Sequence, residues 1–453
     1  MTSTDSRLLS RLFLPVDIAS LVYFRVVFGA IMLWEAFRYF QAGWIARYWI
    51  DPPVNFPYYG FGWLEPLPGV GMYVLFAGLG VLSLFIMIGF CYRISIILFF
   101  IGFTYSFLLE QARYLNHFYL IILISFLMIF LPLNRAFSLD AKLKRVSAVD
   151  RVPAWTLWIL KFQLGVVYFF GGIAKLGGDW LKGEPMGMWL SERTDFPFVG
   201  HLFREPAAAY VFSYGGLFFD LLIVPLLLWR RTRVYAFAGA FLFHLTNQEL
   251  FNIGIFPWMM MGATAIYFEP DWPRRLLKKL RGGTIESFAV ISDPVPSLYR
   301  LRLVLSFLAI YVIWQCLYPL RFLLHPGDPL WTESGHRFSW RMKLRSKTGN
   351  GQFIVRNRET GETKGVNSAT YLKPWQNNDM LTNPYMIWQF SRFLEEQHRA
   401  GKDEDVEVYG WIQVSMNGRP FQAYIDPTVD LTAQPYLRHS NPWVLPLKTP
   451  LHP

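Results

Sequence analysis

The chain has 453 residues, 53% hydrophobic and only 17% charged. Soluble domains carry about 25% charged residues, so the composition excludes the two or three ordinary soluble domains that the length alone would allow. The net charge of +11 does not point to a nucleic-acid partner, because much of the basic excess sits in short loops beside apolar runs: Arg135, Lys142, Lys144, Arg145 and Arg151; Arg230, Arg231 and Arg233; Arg274, Arg275, Lys278, Lys279 and Arg281. That distribution is the positive-inside pattern of a membrane protein, and contact with anionic lipid can add to it.

A membrane-spanning helix needs about 20 mainly apolar residues. The polar opening segment gives way to an apolar run over 21–40 with no small-residue cleavage site after it, which reads as a first span and not as a secretion signal. Spans are predicted at 20–40, 70–90, 94–110, 116–132, 154–175, 209–229, 234–247, 251–268 and 300–320. The seventh and eighth are short and closely joined, so the count is nine, or eight if that pair is a tight hairpin. The basic loops at 133–153, 230–233 and 270–299 belong in the cytoplasm. Nine spans then put the N-terminus inside and the C-terminus outside, in what reads as a bacterial inner membrane. Cys91 and Cys316 lie in or beside apolar runs and read as free thiols.

From about residue 325 polar alternation replaces the apolar runs. Glu359-Thr360-Gly361 and Asn417-Gly418 each sit between strand-like stretches and predict hairpins. An amphipathic helix is expected over 384–399, after Asn383-Pro384 and with Gly401 as a stop. The fold class is therefore a polytopic α-helical membrane domain over 1–324 with a small extracytoplasmic α+β domain over 325–453.

Ionisable residues inside a membrane are costly and need a reason. Lys175 lies in YFFGGIAKLGGDWLKG at the end of the fifth span. A lysine near a span end most often snorkels to the interface, but Gly171 and Gly172, one turn earlier, allow close packing or close approach of a ligand. A lysine facing the bundle can serve as a general base. His117 opens the fourth span and His244 lies near the end of the seventh. On the topology above, Lys175, His117 and His244 all fall in the outer leaflet and can share one cavity. Arg25, Glu35, Asp220 and Asn247 are further intramembrane polar groups that must be paired or line a cavity. Phosphate-loop, HExxH, CxxC and GxSxG patterns are absent from the sequence. No metal is expected, because the two histidines lack a clustered ligand motif.

Four stretches together resemble one known family. They are LNHFYL with PLNRAFSLD; YFFGGIAKLGGDWLKG; GGLFFDLLIVPLLL with HLTNQELFNIGIFPWMM; and LWTESGHRFSWRMKLR with IQVSMNGRPFQAYIDPTVDL. In order, spacing and membrane context the chain is similar to the vitamin K-dependent gamma-glutamyl carboxylases and their bacterial relatives, from the first span to about residue 445. The resemblance implies reduced vitamin K as the hydroquinone, of menaquinol or phylloquinol type, with O2 and CO2 as co-substrates and a glutamate-containing peptide or protein as acceptor. It implies that Lys175 deprotonates the hydroquinone, whose oxygenation yields a strong base and the epoxide. That base removes a glutamate γ-proton, and the carbanion attacks CO2. His117 and His244 match the family's assisting histidines. Asn116, Asn247, Trp180, Gly171 and Gly172 fall in the same motifs and are expected at the quinone. The chain departs from the animal enzymes in having Ala174 before Lys175, in having Phe322 where a family histidine falls, with His325 three residues on, and in ending soon after Pro442-Trp443.

The rival readings are a quinol epoxidase without glutamate carboxylation and a non-enzymatic quinone or lipid carrier. A small-anion transporter is disfavoured by the lack of a discontinuous-helix repeat.

Overall fold

The computed structural model describes residues 11–281, 297–402, 404–437 and 441–451. The opening segment before Arg11 and residues 282–296 of the 270–299 basic loop lie outside the described residues. Every apolar stretch expected to span is helical: α1 (Ala19–Gln41), α2 (Gly71–Ile88), α3 (Tyr92–Leu108), α4 (Asn116–Phe130), α5 (Trp155–Ala174), α6 (Pro206–Leu228), α7 (Arg233–Phe251), α8 (Phe256–Thr264) and, after the basic helix α9 (Trp272–Arg281), α10 (Leu298–Leu317). Five helices are long and apolar enough to cross a membrane: α1, α2, α5, α6 and α10 with its continuation to Leu324. The shorter α3 and α4 are also apolar. The expectation of nine full spans is thus met by length and composition for five. The eighth stretch shows why. The chain breaks after α7 at Asn252 (φ 45°) and Gly254 (φ 67°), which leaves α8 and the turn Ala265–Tyr267. At about 1.5 Å and 2.0 Å per residue they extend roughly 20 Å, short of a hydrocarbon core of about 30 Å.

The basic loops gather at one end of the bundle. Strand β1 (Pro15–Asp17) pairs antiparallel with β2 (Arg151–Pro153), joining the entries to α1 and α5. Arg274 donates to Asp17 at 3.0 Å and to Asp150 at 2.8 Å, and Arg233 pairs with Glu269 at 3.0 Å. The starts of α1, α5 and α7 and the exit of α8 therefore share one side, as alternation of the helices requires. At the same end the Asp140 carboxylate accepts the backbone N–H groups of Cys91 and Tyr92 at 2.8 and 3.0 Å. It thereby satisfies two donors that the first turn of α3 leaves open. Arg25, fully buried, donates to the Phe137 carbonyl at 2.6 Å. Gly89 (φ 67°) gives it room, since a Cβ there would fall 1.7 Å from the guanidinium. Glu35 pairs with Arg38 on its own helix, at 2.7 Å, so among the described residues neither Arg25 nor Glu35 makes an ion pair with another span.

The C-terminal domain is an antiparallel sheet in the order β4-β3-β5-β6, from β3 (Lys347–Asn357), β4 (Thr363–Val366), β5 (Val406–Met416) and β6 (Gln422–Ala423). Helices α11 (Pro374–Leu381) and α12 (Pro384–Lys402) cover it. Phe353, Val355, Val408 and Val414 from the sheet meet Met386, Ile387 and Phe390 from α12 in its core. Both expected hairpins form, and Asn417 and Gly418 take φ of 52° and 78°, a left-handed pair that makes a tight turn within the longer connection between Val414 and its partner Gln422. Helix α12 runs past Gly401 to Lys402.

This domain caps the end of the bundle opposite the basic loops. Asp179, just beyond α5, receives both ends of the Arg419 guanidinium at 2.7 and 2.8 Å and the Asn417 amide at 2.8 Å. Gln376 donates to Glu110 at 2.9 Å. The segment leading into β3 drops into the bundle. Phe338 packs against Tyr119 with ring centroids 4.9 Å apart, and Trp340, 0% exposed, stacks on Tyr119 at 5.0 Å. Phe338, Trp340 and Lys343 have φ of 61°, 58° and 52°, a region that costs bulky side chains of order 1–3 kcal/mol each. Burial of two large aromatic rings offsets that cost.

The Asp179 latch has a defined pH dependence. Burial opposes its charge, but the hydrogen bonds from Arg419 and Asn417, with the Arg419 charge, outweigh burial and hold the carboxyl below its ordinary 3.8. A depressed carboxyl stabilises the fold above its unfolded value of about 3.9 and loses that contribution as pH falls through the folded value. Arg419→Met should therefore destabilise the detergent-solubilised protein by about 2 kcal/mol at neutral pH. In thermal unfolding, the gap to wild type should close progressively below about pH 4.

Candidate functional site

Helices α5 and α6 approach closely because α5 carries glycine at the contact. A Cβ on Gly172 would lie 2.6 Å from the Leu221 side chain and 3.2 Å from the Leu221 backbone nitrogen. One on Gly171 would lie 3.1 Å from the Asp220 carboxylate. This contact brings Asp220 of α6 to Lys175, the residue that ends α5. The Lys175 Nζ lies 2.5 Å from Asp220 Oδ2 and 3.4 Å from the Gly171 carbonyl. Both side chains are less than a tenth exposed. The ammonium also sits 5.4 Å from the Trp180 ring centroid, and Trp180 is fixed by donating its Nε1–H to the Ser213 carbonyl at 2.8 Å. A cation at the carbonyl end of a helix is favoured by the helix dipole, and a buried carboxylate gives it a counter-charge. Lys175 faces the bundle and does not snorkel.

A cavity of about 480 Å³ opens beside this pair, between α5, α6, α7 and α8. Its wall includes Lys175, Asp220, Trp180, Tyr168, His244 and Asn247, with Phe219, Phe243, Phe251 and Phe256 supplying apolar surface. His244, 2% exposed, holds its Nε2 at 2.8 Å from the Tyr168 hydroxyl. That hydroxyl lies 3.3 Å from Thr264 Oγ1, and the donor in each link depends on the histidine tautomer. Asn247 donates to the Phe243 carbonyl at 3.0 Å, which leaves its amide oxygen for a ligand.

The expected residues divide into three groups. Lys175, His244, Trp180 and Asn247 line one cavity. Gly171 and Gly172 act through helix contact. His117 and Asn116 are not on the cavity wall. The His117 ring stacks on Phe256 with centroids 5.7 Å apart, and Phe256 meets His244 edge-on at 6.0 Å. Phe256 therefore stands between the two histidines, and the expectation of three ionisable groups in one cavity is corrected to two of the three. Asn116 accepts a hydrogen bond from Tyr114 at 2.9 Å. The reason is α8, which the turn at Asn252–Gly254 folds back against the cavity and which no periodicity in the sequence places there. Tyr168 was missed, although it stands seven residues before Lys175 and so shares its helix face. Met342 and Lys343 were also missed. They reach the cavity from the C-terminal domain, a contact that only tertiary structure creates. Among the described residues no three His, Cys, Asp or Glu side chains gather as a metal site.

A helical membrane bundle with a buried lysine–aspartate pair on an apolar cavity, closed by an α+β cap, defines an integral membrane protein with a chamber at one end of its bundle. The model of the HTTM domain family matches residues 13–272, and that of the vitamin K-dependent gamma-carboxylase lumenal domain matches residues 300–450. The chain belongs to the vitamin K-dependent gamma-glutamyl carboxylase family. No solved structure matches it. Membership supports an enzyme of vitamin K-dependent carboxylase type in a lipid and quinone setting.

The glycine contact is testable by volume. Gly172→Leu should separate α5 from α6 and cost about 1–3 kcal/mol by overpacking, read as a lowered melting temperature in detergent. Gly78→Ala, where a Cβ would meet open space, should leave stability unchanged or raised by up to about 1 kcal/mol.

Proposed function

We propose that the protein oxygenates a reduced naphthoquinone and couples that reaction to carboxylation of glutamate, with Lys175 as the catalytic base. The observation that carries this reading is the Lys175–Asp220 pair at 2.5 Å on the wall of an apolar cavity. The cavity's volume is within the roughly 300–1,000 Å³ of small-molecule sites, and its aromatic wall suits a flat bicyclic ring. The bound quinol supplies the oxygenation chemistry and the strong base that follows from it.

The protein's own groups prepare that chemistry. A lysine can accept a proton only through a free lone pair. The Lys175–Asp220 hydrogen bond, 2.5 Å between heavy atoms, gives the ammonium proton a carboxylate to move to. When that proton rests on Asp220, Lys175 offers its lone pair to the quinol hydroxyl. Asp220 is thus the group that would take the proton from the base, and the Trp180 ring limits where the ammonium can move. His244, oriented by Tyr168, and the Asn247 amide are the groups that would hydrogen-bond a quinol oxygen. His117 supports Phe256 from behind. Apolar walls keep water from quenching a strong base.

We also assign the basic end of the bundle to the cytoplasm of a bacterial inner membrane, with the C-terminal domain outside, by the positive-inside rule. On that reading the chain makes nine passages, the short α8 among them. The cavity then opens toward the outer leaflet, from which a lipid quinol can enter.

The test is an assay in nanodiscs with reduced vitamin K, oxygen, labelled bicarbonate and a glutamate-rich peptide, following epoxide and fixed label together. Wild type should form both. Lys175→Gln, which still hydrogen-bonds Asp220, and Asp220→Asn, which cannot take a proton, should each lower turnover by about 10²–10⁴-fold while retaining quinone binding. Epoxide without fixed label would reduce the reading to a quinol epoxidase. Neither product, with quinone bound, would make the protein a carrier.

A further inference from the structure

The basic end of the bundle carries a helix whose last two turns are uncovered among the described residues. The root of α9 is fixed. The Pro270 carbonyl accepts from the Ser20 N–H and hydroxyl at 3.0 and 2.9 Å, Trp272 meets Tyr23 edge-on with ring centroids 4.7 Å apart, and Arg274 holds Asp17 and Asp150. Beyond Arg274 every residue to Arg281 is exposed, Leu280 by 73%. The two kinds of side chain separate without exception. With successive residues about 100° apart around the axis, Trp272, Leu276, Leu280, Pro273 and Leu277 fall within an arc of about 140°. Arg281, Arg274, Lys278, Arg275 and Lys279 fill the other side. Arg275 reaches Asp271 at 3.1 Å. Lys278, Lys279 and Arg281 have no carboxylate partner among the described residues.

The same end carries exposed aromatic side chains: Trp158 on α5, Trp229 after α6, Tyr235 on α7 and Tyr299 on α10. Trp and Tyr collect at the membrane–water boundary, where the ring meets hydrocarbon and its polar edge meets water. Arg233, between Trp229 and Tyr235, pairs with Glu269 just before α9 at 3.0 Å, so this belt and α9 share a level. A helix standing out in water there would expose three leucines and crowd unneutralised cations. A helix lying in the plane of the boundary does neither, because its leucine face enters the acyl region and its cations stay among the headgroups. Each Lys or Arg at an anionic lipid surface then contributes about fivefold in affinity. An acidic soluble partner could match the cations, but the membrane boundary is already at the level of the helix, and the leucine face continues the lipid-facing surface of the bundle.

We propose that α9 is an in-plane membrane helix that binds the headgroups of anionic phospholipids through Lys278, Lys279 and Arg281, with Leu276, Leu277 and Leu280 seated among the acyl chains. The inference rests on the bundle being embedded in a bilayer and is independent of the carboxylase reading. Because Arg274 ties the root of α9 to the entries of α1 and α5, lipid held on its outer turns is anchored to the fixed part of the bundle and not to a free tail. The specificity is for negative headgroup charge, which the three unpaired cations supply in excess of the acidic residues around them.

Two measurements on the whole chain test the two halves of the proposal. In the first, phosphatidylglycerol and phosphatidylcholine of equal chain length are offered together to the protein in neutral detergent, and bound lipid is counted by native mass spectrometry. Wild type should retain the anionic lipid at least about tenfold over the neutral one, and added salt should weaken that preference. Lys278→Gln with Lys279→Gln and Arg281→Gln should remove most of it. Lys142→Gln with Lys144→Gln, exposed cations in another basic loop, should leave it. Unchanged melting temperatures report that both variants fold. A preference that is absent from wild type, survives the α9 substitutions, or falls equally with those at Lys142 and Lys144 overturns the proposal. So does displacement of the lipid by glycerol phosphate at comparable concentration, which would make the site one for a soluble phosphate. In the second, a nitroxide is attached in liposomes at Leu280→Cys or Lys278→Cys, with Cys91→Ser and Cys316→Ser in both. The label at 280 should be relaxed mainly by oxygen, which concentrates in lipid, and the label at 278 mainly by a water-soluble nickel chelate. Equal exposure of both labels to the chelate would mean that α9 stands off the membrane, and would sink the in-plane assignment.

Discussion

The pairing of Lys175 with Asp220 is the constraint around which the upper bundle is arranged. A cation and a carboxylate inside apolar surroundings are each expensive, and together they persist only if their geometry is good and their remaining hydrogen-bonding capacity is used. That requirement explains the glycines of α5, since Gly171 and Gly172 remove the side chains that would keep α6 away. It explains why Lys175 ends its helix, where the Gly171 carbonyl can also accept from the ammonium. It also explains the placement of Trp180 over the pair. A buried ion pair contributes little net stability compared with a packed apolar core. On the proposed function the pair is better understood through chemistry, because a lysine hydrogen-bonded to a carboxylate beside an apolar cavity has the parts of an acid–base device.

The cap is part of the chamber. Its contacts with the bundle are polar at the rim, as in the Asp179–Arg419 fork and the Glu110–Gln376 bond, and apolar where Phe338 and Trp340 enter. Three left-handed residues in that segment mark a backbone held in place by its surroundings. The strain places Met342 and Lys343 on the cavity wall, which neither a regular strand nor a helix leaving the bundle would do. The Lys175–Asp220 pair and the side chains from the cap thus share one cavity wall. This arrangement fits a family whose two parts, a membrane domain and a lumenal domain, are both matched along this chain.

The basic end has a structural role of its own. Arg274 ties the entry of α1 to the loop before α5, and Asp140 caps α3. Charges that read in the sequence only as an orientation signal are also the groups that hold the helix ends together.

The sequence by itself determined the membrane class, the helical stretches, the polar C-terminal domain with its Asn417-Gly418 turn, and Lys175 as the residue most in need of an explanation. These follow from local properties: apolar run length, turn chemistry and the cost of a charge in lipid. It also marked Asp220 as a group that must find a partner, without saying which. Tertiary structure alone decided that the partner is Lys175, that Phe256 separates His117 from His244, that α8 is too short to cross a membrane unaided, and that Lys343 reaches the chamber from outside the bundle. Each depends on how helices pack or on where a turn sends the chain. Hydropathy and spacing carry no information about which faces meet, because a lipid-facing and a bundle-facing apolar surface have nearly the same composition.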